Sequence, residues 1–342
     1  MNRPILLLTM GDVAGVGPEI IAKGWPQLIR LCRPVVVGDP QWMRRGLEFA
    51  NNFAHVAVVD TLHEVEPTPE LIPIIAASDV ELTRVKPATI TAEAGQAAYD
   101  FLCRAIDETL DQQADGIVTA PLHKEGFRLA GVKHPGHTEI LAERTGTANF
   151  GMMLYARNAT IPQGLAVVHV TLHCALRDVF AQISTQSVEE KIQLVHSICN
   201  RLSDGPPRIA VAALNPHASD GGLFGNEEQT IISPAVESAR RVDIDVTGPL
   251  PSDTLFQRAV RGDFDGIVCM YHDQGHIPMK LLGGFDAVNI SVGLPIVRTS
   301  VAHGTAYDIA GKGIADPASL IEATRVAALL TRRKPLEVCV TR

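Results

Sequence analysis

The chain has 342 residues, 46% of them hydrophobic and 20% charged, with a net charge of -8. That acidic balance excludes a nucleic-acid surface, which needs clustered Lys and Arg, and no apolar run approaches the roughly eighteen residues of a membrane helix. The length exceeds what one core readily serves, so two domains or one large α/β unit with a cleft are expected, while six scattered cysteines without a C-x-x-C pair indicate reduced thiols in a cytoplasmic protein.

Ile5-Leu6-Leu7-Leu8 reads as a buried strand, too short in its apolar part for a signal peptide. The loop T-M-G-D-V-A-G-V-G-P-E follows and opens a helix with Pro18 in its first turn. Gly11, Gly15 and Gly17 fit either a loop whose amides face an anion at a helix N-terminus or a tight strand-to-helix turn. Their spacing matches no nucleotide fingerprint. Pro34 to Gly38 and His55 to Val59 are two further strands, and their alternation with helices indicates a largely parallel sheet. Glu64 to Pro73 reads as a surface connection, and a helix is expected from about Ala92 to Gln112. Gly116 to Thr119 forms a strand that delivers His123 and Lys124. His137 and Thr138 then open a helix whose N-terminus suits a phosphate or carboxylate, or which Thr138 merely caps.

Downstream, the capping box Ser187-Val188-Glu189-Glu190 starts a helix bearing Ile192, Val195, Ile198 and Leu202. The apolar runs 165–172, 209–214 and 266–270 lead to His173, His217 and His272. If these runs lie in one sheet or in facing sheets, the three imidazoles converge at a cleft edge, where open α/β sheets bind ligands. Three neutral imidazoles with an open position suit Zn2+ or a similar divalent ion; taken singly, each also fits a satisfied histidine at a strand end. Lys280, Asn289 and Arg298 lie in the following stretch. Two cations and an amide suit a phosphorylated, carboxylated substrate, although Lys280 alone fits a solvated charge. A helix from about Pro317 to Thr331 and a strand near Leu336 to Val340 close the chain.

The ordered blocks T-M-G-D-V-A-G-V-G-P-E, T-A-P-L-H-K-E, P-G-H-T-E, L-N-P-H-A, Y-H-D-Q-G, N-I-S-V-G-L-P-I-V-R-T-S and H-G-T-A resemble the 4-hydroxythreonine-4-phosphate dehydrogenase family of pyridoxal phosphate biosynthesis and its sugar-acid phosphate paralogues. The likeness implies an α/β fold of two α/β/α domains, related to isocitrate and isopropylmalate dehydrogenases. We place them at 1–142 plus 303–342 and at 143–302. It implies metal ligands at His173, His217 and His272 (Zn, alternatively Mg, Co or Mn) and substrate contacts at His137, Thr138, Lys280, Asn289 and Arg298. A homodimer that shares its active site is implied too. The segment from His303 is similar to the adenosine-binding loop of isopropylmalate dehydrogenases, so His303, Gly304, Thr305 and Asp308 become the NAD or NADP candidates. The expected reaction is metal-dependent oxidation, with decarboxylation, of a 4-phosphorylated hydroxy acid, 4-phosphohydroxy-L-threonine first. Lys280 is expected in a catalytic role, and Asp253 and Asp273 handle protons or support the ligating imidazoles. G-H-I-P-M-K-L-L-G is similar to the paralogues acting on threonate or erythronate 4-phosphate. An aromatic dihydrodiol acid dehydrogenase and a non-redox binder of phosphorylated metabolites are the remaining alternatives.

Overall fold

Ile5–Thr9 forms the first strand, β1, with all but Ile5 buried. The computed structural model describes residues 3–134, 136–203 and 205–332. The strand expected at 336–340 lies outside them. The fold is mixed α/β and divides into two units, one running to Ala148 and resuming at Leu294, the other spanning Asn149–Gly293.

In the first unit β1 leads to α1 (Gly17–Leu31), β2 (Arg33–Gly38), α2 (Pro40–Phe49), β3 (His55–Val58) and β4 (Leu71–Ala76). Then follow α3 (Ala92–Leu110), β5 (Gly116–Thr119), α4 (Lys124–Leu129) and α5 (His137–Arg144). Asp39 caps α2 by accepting from Trp42 N at 2.7 Å, and Thr91 caps α3 by accepting from Ala94 N at 3.1 Å. Each satisfies a donor that the first helical turn leaves open. The strands run parallel in the order β3-β4-β2-β1-β5. Leu71–Ala76 corrects the expected surface connection to Pro73. Pro73 is tolerated inside this strand because β2 pairs with it only from Ile74 onward, beyond the missing N–H.

The second unit comprises β6 (Gly151–Ala156), β7 (Leu165–His169), α6 (Val179–Gln182), α7 (Thr185–Leu202), β8 (Ile209–Ala212) and α8 (Ser233–Arg241). It continues through β9 (Val246–Leu250), α9 (Ser252–Val260), β10 (Gly266–Cys269), α10 (His272–Gly283) and β11 (Val288–Val292). Its strand order is β11-β6-β7-β10-β8-β9. β6 runs antiparallel to both β11 and β7, and β7, β10, β8 and β9 are parallel. A core of Leu154, Ile161, Val167, Leu255, Ile267 and Met279 covers one face. Helix α7 starts earlier than Ser187. Ser184 accepts from Ser187 N and the Ser187 hydroxyl returns to Ser184 N, so the capping box sits one turn upstream.

The chain re-enters the first unit as β12 (Val297–Val301), parallel to β5, followed by α11 (Ala318–Arg332). Because Arg298 pairs with Ile117 and Ser300 with Thr119, residues 297–301 belong to the first unit and the expected boundary after residue 302 falls too late. No helix among the described residues is long and apolar enough to cross a membrane.

Candidate active site

Four amides of the glycine loop ahead of α1 are taken up by bonds within the first unit. Asp12 N donates to Pro121 O, Ala14 N to the Asp12 carboxylate, Gly15 N to Asp12 O and Val16 N to Thr305 O, at 2.9–3.0 Å. A Cβ on Gly15 would lie 2.9 Å from Thr305 O, and one on Gly17 would collide with Met10 O. Close backbone approach explains Gly15 and Gly17.

Beside it, β5 and β12 bring Thr119 and Arg298 together. The Arg298 guanidinium donates to Thr119 Oγ1 at 2.6 Å although the residue is only 4% exposed. Burial pulls its pKa down to about 9. A buried, still cationic fork is suited to a phosphate or carboxylate. His137, the first residue of α5, is held well below its ordinary pKa by burial and by the charge of Arg298, so it is a neutral hydrogen-bonding group. Thr138 follows it in the first turn, but neither residue caps the helix and Gly136 stands at the cap.

In the second unit the strand-end assignments shift. β7 ends at His169, and His173 lies four residues on, exposed. β8 ends at Ala212, well before His217. His272 is the first residue of α10 rather than a strand terminus. His272 and His173 have ring centroids 5.8 Å apart, and both line a cleft of about 390 Å³ together with Leu172, Leu176, Tyr271 and Asp273. Asp273 Oδ1 sits 2.7 Å from His272 Nδ1. That contact fixes the tautomer and leaves Nε2 as the lone-pair donor, the usual arrangement behind a metal-bound imidazole.

Behind His272 lies a pair that sequence reasoning did not assign to the site. His276 stacks on His272 at 3.7 Å and its Nδ1 contacts His169 Nε2 at 3.2 Å. Burial, then the neighbouring imidazoles, lowers the pKa of His169 to about 3 and that of His276 to about 4. These rings are neutral. A histidine closing the apolar run Leu165 to Val168 was the available signal for His169.

His217 occupies an exposed turn in which residues 217–221 all have positive φ, from 45° to 74°. Left-handed backbone costs roughly 1–2 kcal/mol per non-glycine residue. The turn is held by Ser219 Oγ donating to Gly225 O and by Glu228 Oε1 accepting from Leu214 N and Asn215 N. Such strain persists only where surrounding contacts over-determine it. Among the described residues His217 makes no ring contact with His173 or His272, and no group of three His, Cys, Asp or Glu is arranged to hold a metal ion. Within one chain the expected convergence is realised for His173 and His272. Two imidazoles, one oriented by a carboxylate, fit part of a divalent-cation site. Lys280 ends exposed in the last turn of α10, Asn289 lies half-buried on β11, and Asp253 is exposed in the first turn of α9.

In the first unit His303, Gly304 and Asp308 are at least partly exposed, and His303 Nδ1 donates to Gly304 O at 2.8 Å. Thr305 is buried beneath Gly15 instead of facing outward. Exposed polar groups on a segment anchored from below fit the recognition of a nucleotide.

Residues 30–327 match the family described as pyridoxal phosphate biosynthetic protein PdxA. The chain is 45% identical over 335 residues to a 4-hydroxythreonine-4-phosphate dehydrogenase of Geobacter metallireducens, covering 97% of both chains. It is 44% identical over 336 residues to a D-threonate 4-phosphate dehydrogenase of Cupriavidus necator, covering 97% of this chain and 98% of the other. A crystal structure of 4-hydroxythreonine-4-phosphate dehydrogenase from Klebsiella pneumoniae superposes with a TM-score of 0.85 at 39% identity, over 96% of this chain and 98% of that one.

Proposed function

This chain belongs to the family of the pyridoxal phosphate biosynthetic protein PdxA and is a dehydrogenase, and from that premise we propose that it oxidises a 4-phosphorylated hydroxy acid, 4-phosphohydroxy-L-threonine first. The observation that carries the substrate class is the buried Arg298 cation on Thr119 beside the neutral His137. The guanidinium fork takes two oxygens of a phosphate or carboxylate, while His137 and Thr138 add neutral hydrogen bonds. Lys280 and Asn289, both in the second unit, are the further substrate residues that the family likeness implies. A fold related to isocitrate and isopropylmalate dehydrogenases is part of the same reading.

His173 and His272 would hold a divalent cation, with His217 supplied by a second copy of the chain in a homodimer. The exposed apolar side chains of Leu176, Phe180, Ile277 and Leu281 in this unit support such an association. When bound, the cation supplies Lewis acidity that lowers the pKa of a ligated substrate hydroxyl. Asp273 would keep the His272 imidazole in its donating tautomer, and either Asp273 or Asp253 would handle the proton. NAD or NADP would be held at His303, Gly304 and Asp308 and would supply the hydride acceptor, while a carboxylate of this chain would take the hydroxyl proton. The Lys280 ammonium would offset the negative charge that develops as the oxidised acid loses CO2. Free cysteines throughout the described residues accord with the cytoplasm.

A second reading, D-threonate or D-erythronate 4-phosphate as substrate, is favoured by the sequence of the segment Gly275 to Gly283 and by the similarity to a D-threonate 4-phosphate dehydrogenase. Absorbance of NAD(P)H over a panel of these three acids, with and without chelator and added divalent metal, tests both. Turnover undiminished by complete metal removal would refute the cation's role. Binding of the acids without any turnover would refute the dehydrogenase assignment.

A further inference from the structure

Three segments far apart in the chain meet in the first unit around one hydrogen bond. Asp12, in the glycine loop, is 1% exposed. One of its carboxylate oxygens accepts from Ala14 N, and the other accepts from the Tyr307 hydroxyl at 2.6 Å. His123, at the N-cap of α4, lies flat on the Tyr307 ring, with centroids 5.0 Å apart and planes at 12°. Burial and the adjacent Asp12 carboxylate push the Tyr307 phenol far above its ordinary pKa, so it remains a donor.

Tyr307 ends the segment His303-Gly304-Thr305-Ala306. Two anchors fix that segment: Thr305 O accepts from Val16 N at 3.0 Å, and Tyr307 donates to Asp12. Between the anchors Ala306 has φ 46°, in the left-handed region that alanine avoids. The backbone would relax there if either anchor were released. Both anchors originate in the glycine loop, so the loop serves as a seat for this segment. The exposed groups of His303, Gly304 and Asp308 take their positions from it.

We propose that Asp12 is a positioning residue for dinucleotide binding, acting through Tyr307 to hold the 303–308 segment in its binding conformation. The inference rests on the assignment of that segment to the cofactor. With its geometry set in advance, the segment binds without losing conformational freedom; without the anchor that ordering is taken from the binding energy.

The test is calorimetric titration of NAD+ and NADP+ into the full chain for the wild type, Tyr307→Phe, Asp12→Ala and Asp12→Asn, with Tm recorded for each. Tyr307→Phe and Asp12→Ala should each weaken the bound dinucleotide about tenfold, ~1.4 kcal/mol. Asp12→Asn should stay close to the wild type, because its amide oxygen accepts from Ala14 N and its NH2 donates to the Tyr307 oxygen. A fall in Tm with an unchanged dissociation constant in Tyr307→Phe would reduce Asp12 to a structural role and overturn the proposal. A wild type that binds neither dinucleotide would overturn the cofactor assignment itself, and this proposal with it. If Asp12→Ala does not fold, Tyr307→Phe against Asp12→Asn decides alone.

Discussion

Gly275→Ala probes the approach of α10 to β7. A Cβ there would overlap His169 Nε2 and lie 2.7 Å from Val167 Cγ1 and 3.0 Å from Cys269 Sγ. All three neighbours are buried, so none can retreat into solvent. Replacing a helical glycine by alanine otherwise gains roughly 0.5–1 kcal/mol. Overpacking a filled core costs about 1–3 kcal/mol. Overlap with three buried atoms places this site at the upper end, so the net loss should be about 1–2 kcal/mol. For a unit of this size that is a fall in Tm of about 2–8 °C. Calorimetry or thermal circular dichroism reads it, and a double-mutant cycle assigns the cause. In a His169→Ala background the cost of Gly275→Ala should shrink, by roughly 0.5 kcal/mol or more. A Gly275→Ala protein as stable as the wild type, or one whose penalty is identical with and without the His169 ring, would refute the account of how α10 is seated.

Arg298→Lys keeps the charge but loses the fork that meets Thr119 and a two-oxygen ligand, so KM for the phosphorylated acid should rise about tenfold or more with the fold intact; steady-state kinetics and Tm together check it. His272→Ala and His173→Ala should each lower the metal content per chain in elemental analysis after dialysis against a divalent ion, whereas Glu66→Ala, in a surface ion pair with Arg3, should leave it unchanged. His137 has a folded pKa depressed below 6.5. Its contribution to stability is present above pH 6.5 and is lost as pH falls below it, since the unfolded chain then takes up the proton more readily. His137→Gln should flatten the decline of Tm between pH 7 and pH 5; an unchanged slope would show that this imidazole titrates normally.

Much of the fold was legible because apolar runs such as Leu6 to Leu8 and Ile267 to Cys269 are buried on both faces, as parallel strands require. Pro73 misled because a proline signals a break, and only the offset of the β2 ladder shows why it is harmless. The capping box was placed one turn late because Ser187 fills both a cap-like and an N3 position, and the hydroxyl geometry decides. The glycine loop could not be resolved from sequence, since a glycine needed for an anion and one needed for a neighbouring carbonyl look alike. His169 escaped notice because its partner His276 is 107 residues away. Lys280 and Arg298 were read together as the cations of one substrate site, yet Arg298 and the 303–308 segment lie in one unit, and His272 and Lys280 in the other.

The split of the first unit has a consequence for how the protein is made. β5 ends at Thr119 and acquires its partner β12 only when residues 297–301 emerge. By then the whole stretch Asn149–Gly293, which forms the second unit, has already left the ribosome. A folded insert brings its two ends into a fixed relation, so the closure that β12 needs becomes a short search in place of a long one. A nascent chain halted before β12 is complete would hold a finished second unit beside a five-stranded remnant whose β5 edge still offers open backbone groups, the form in which capture by another chain is easiest.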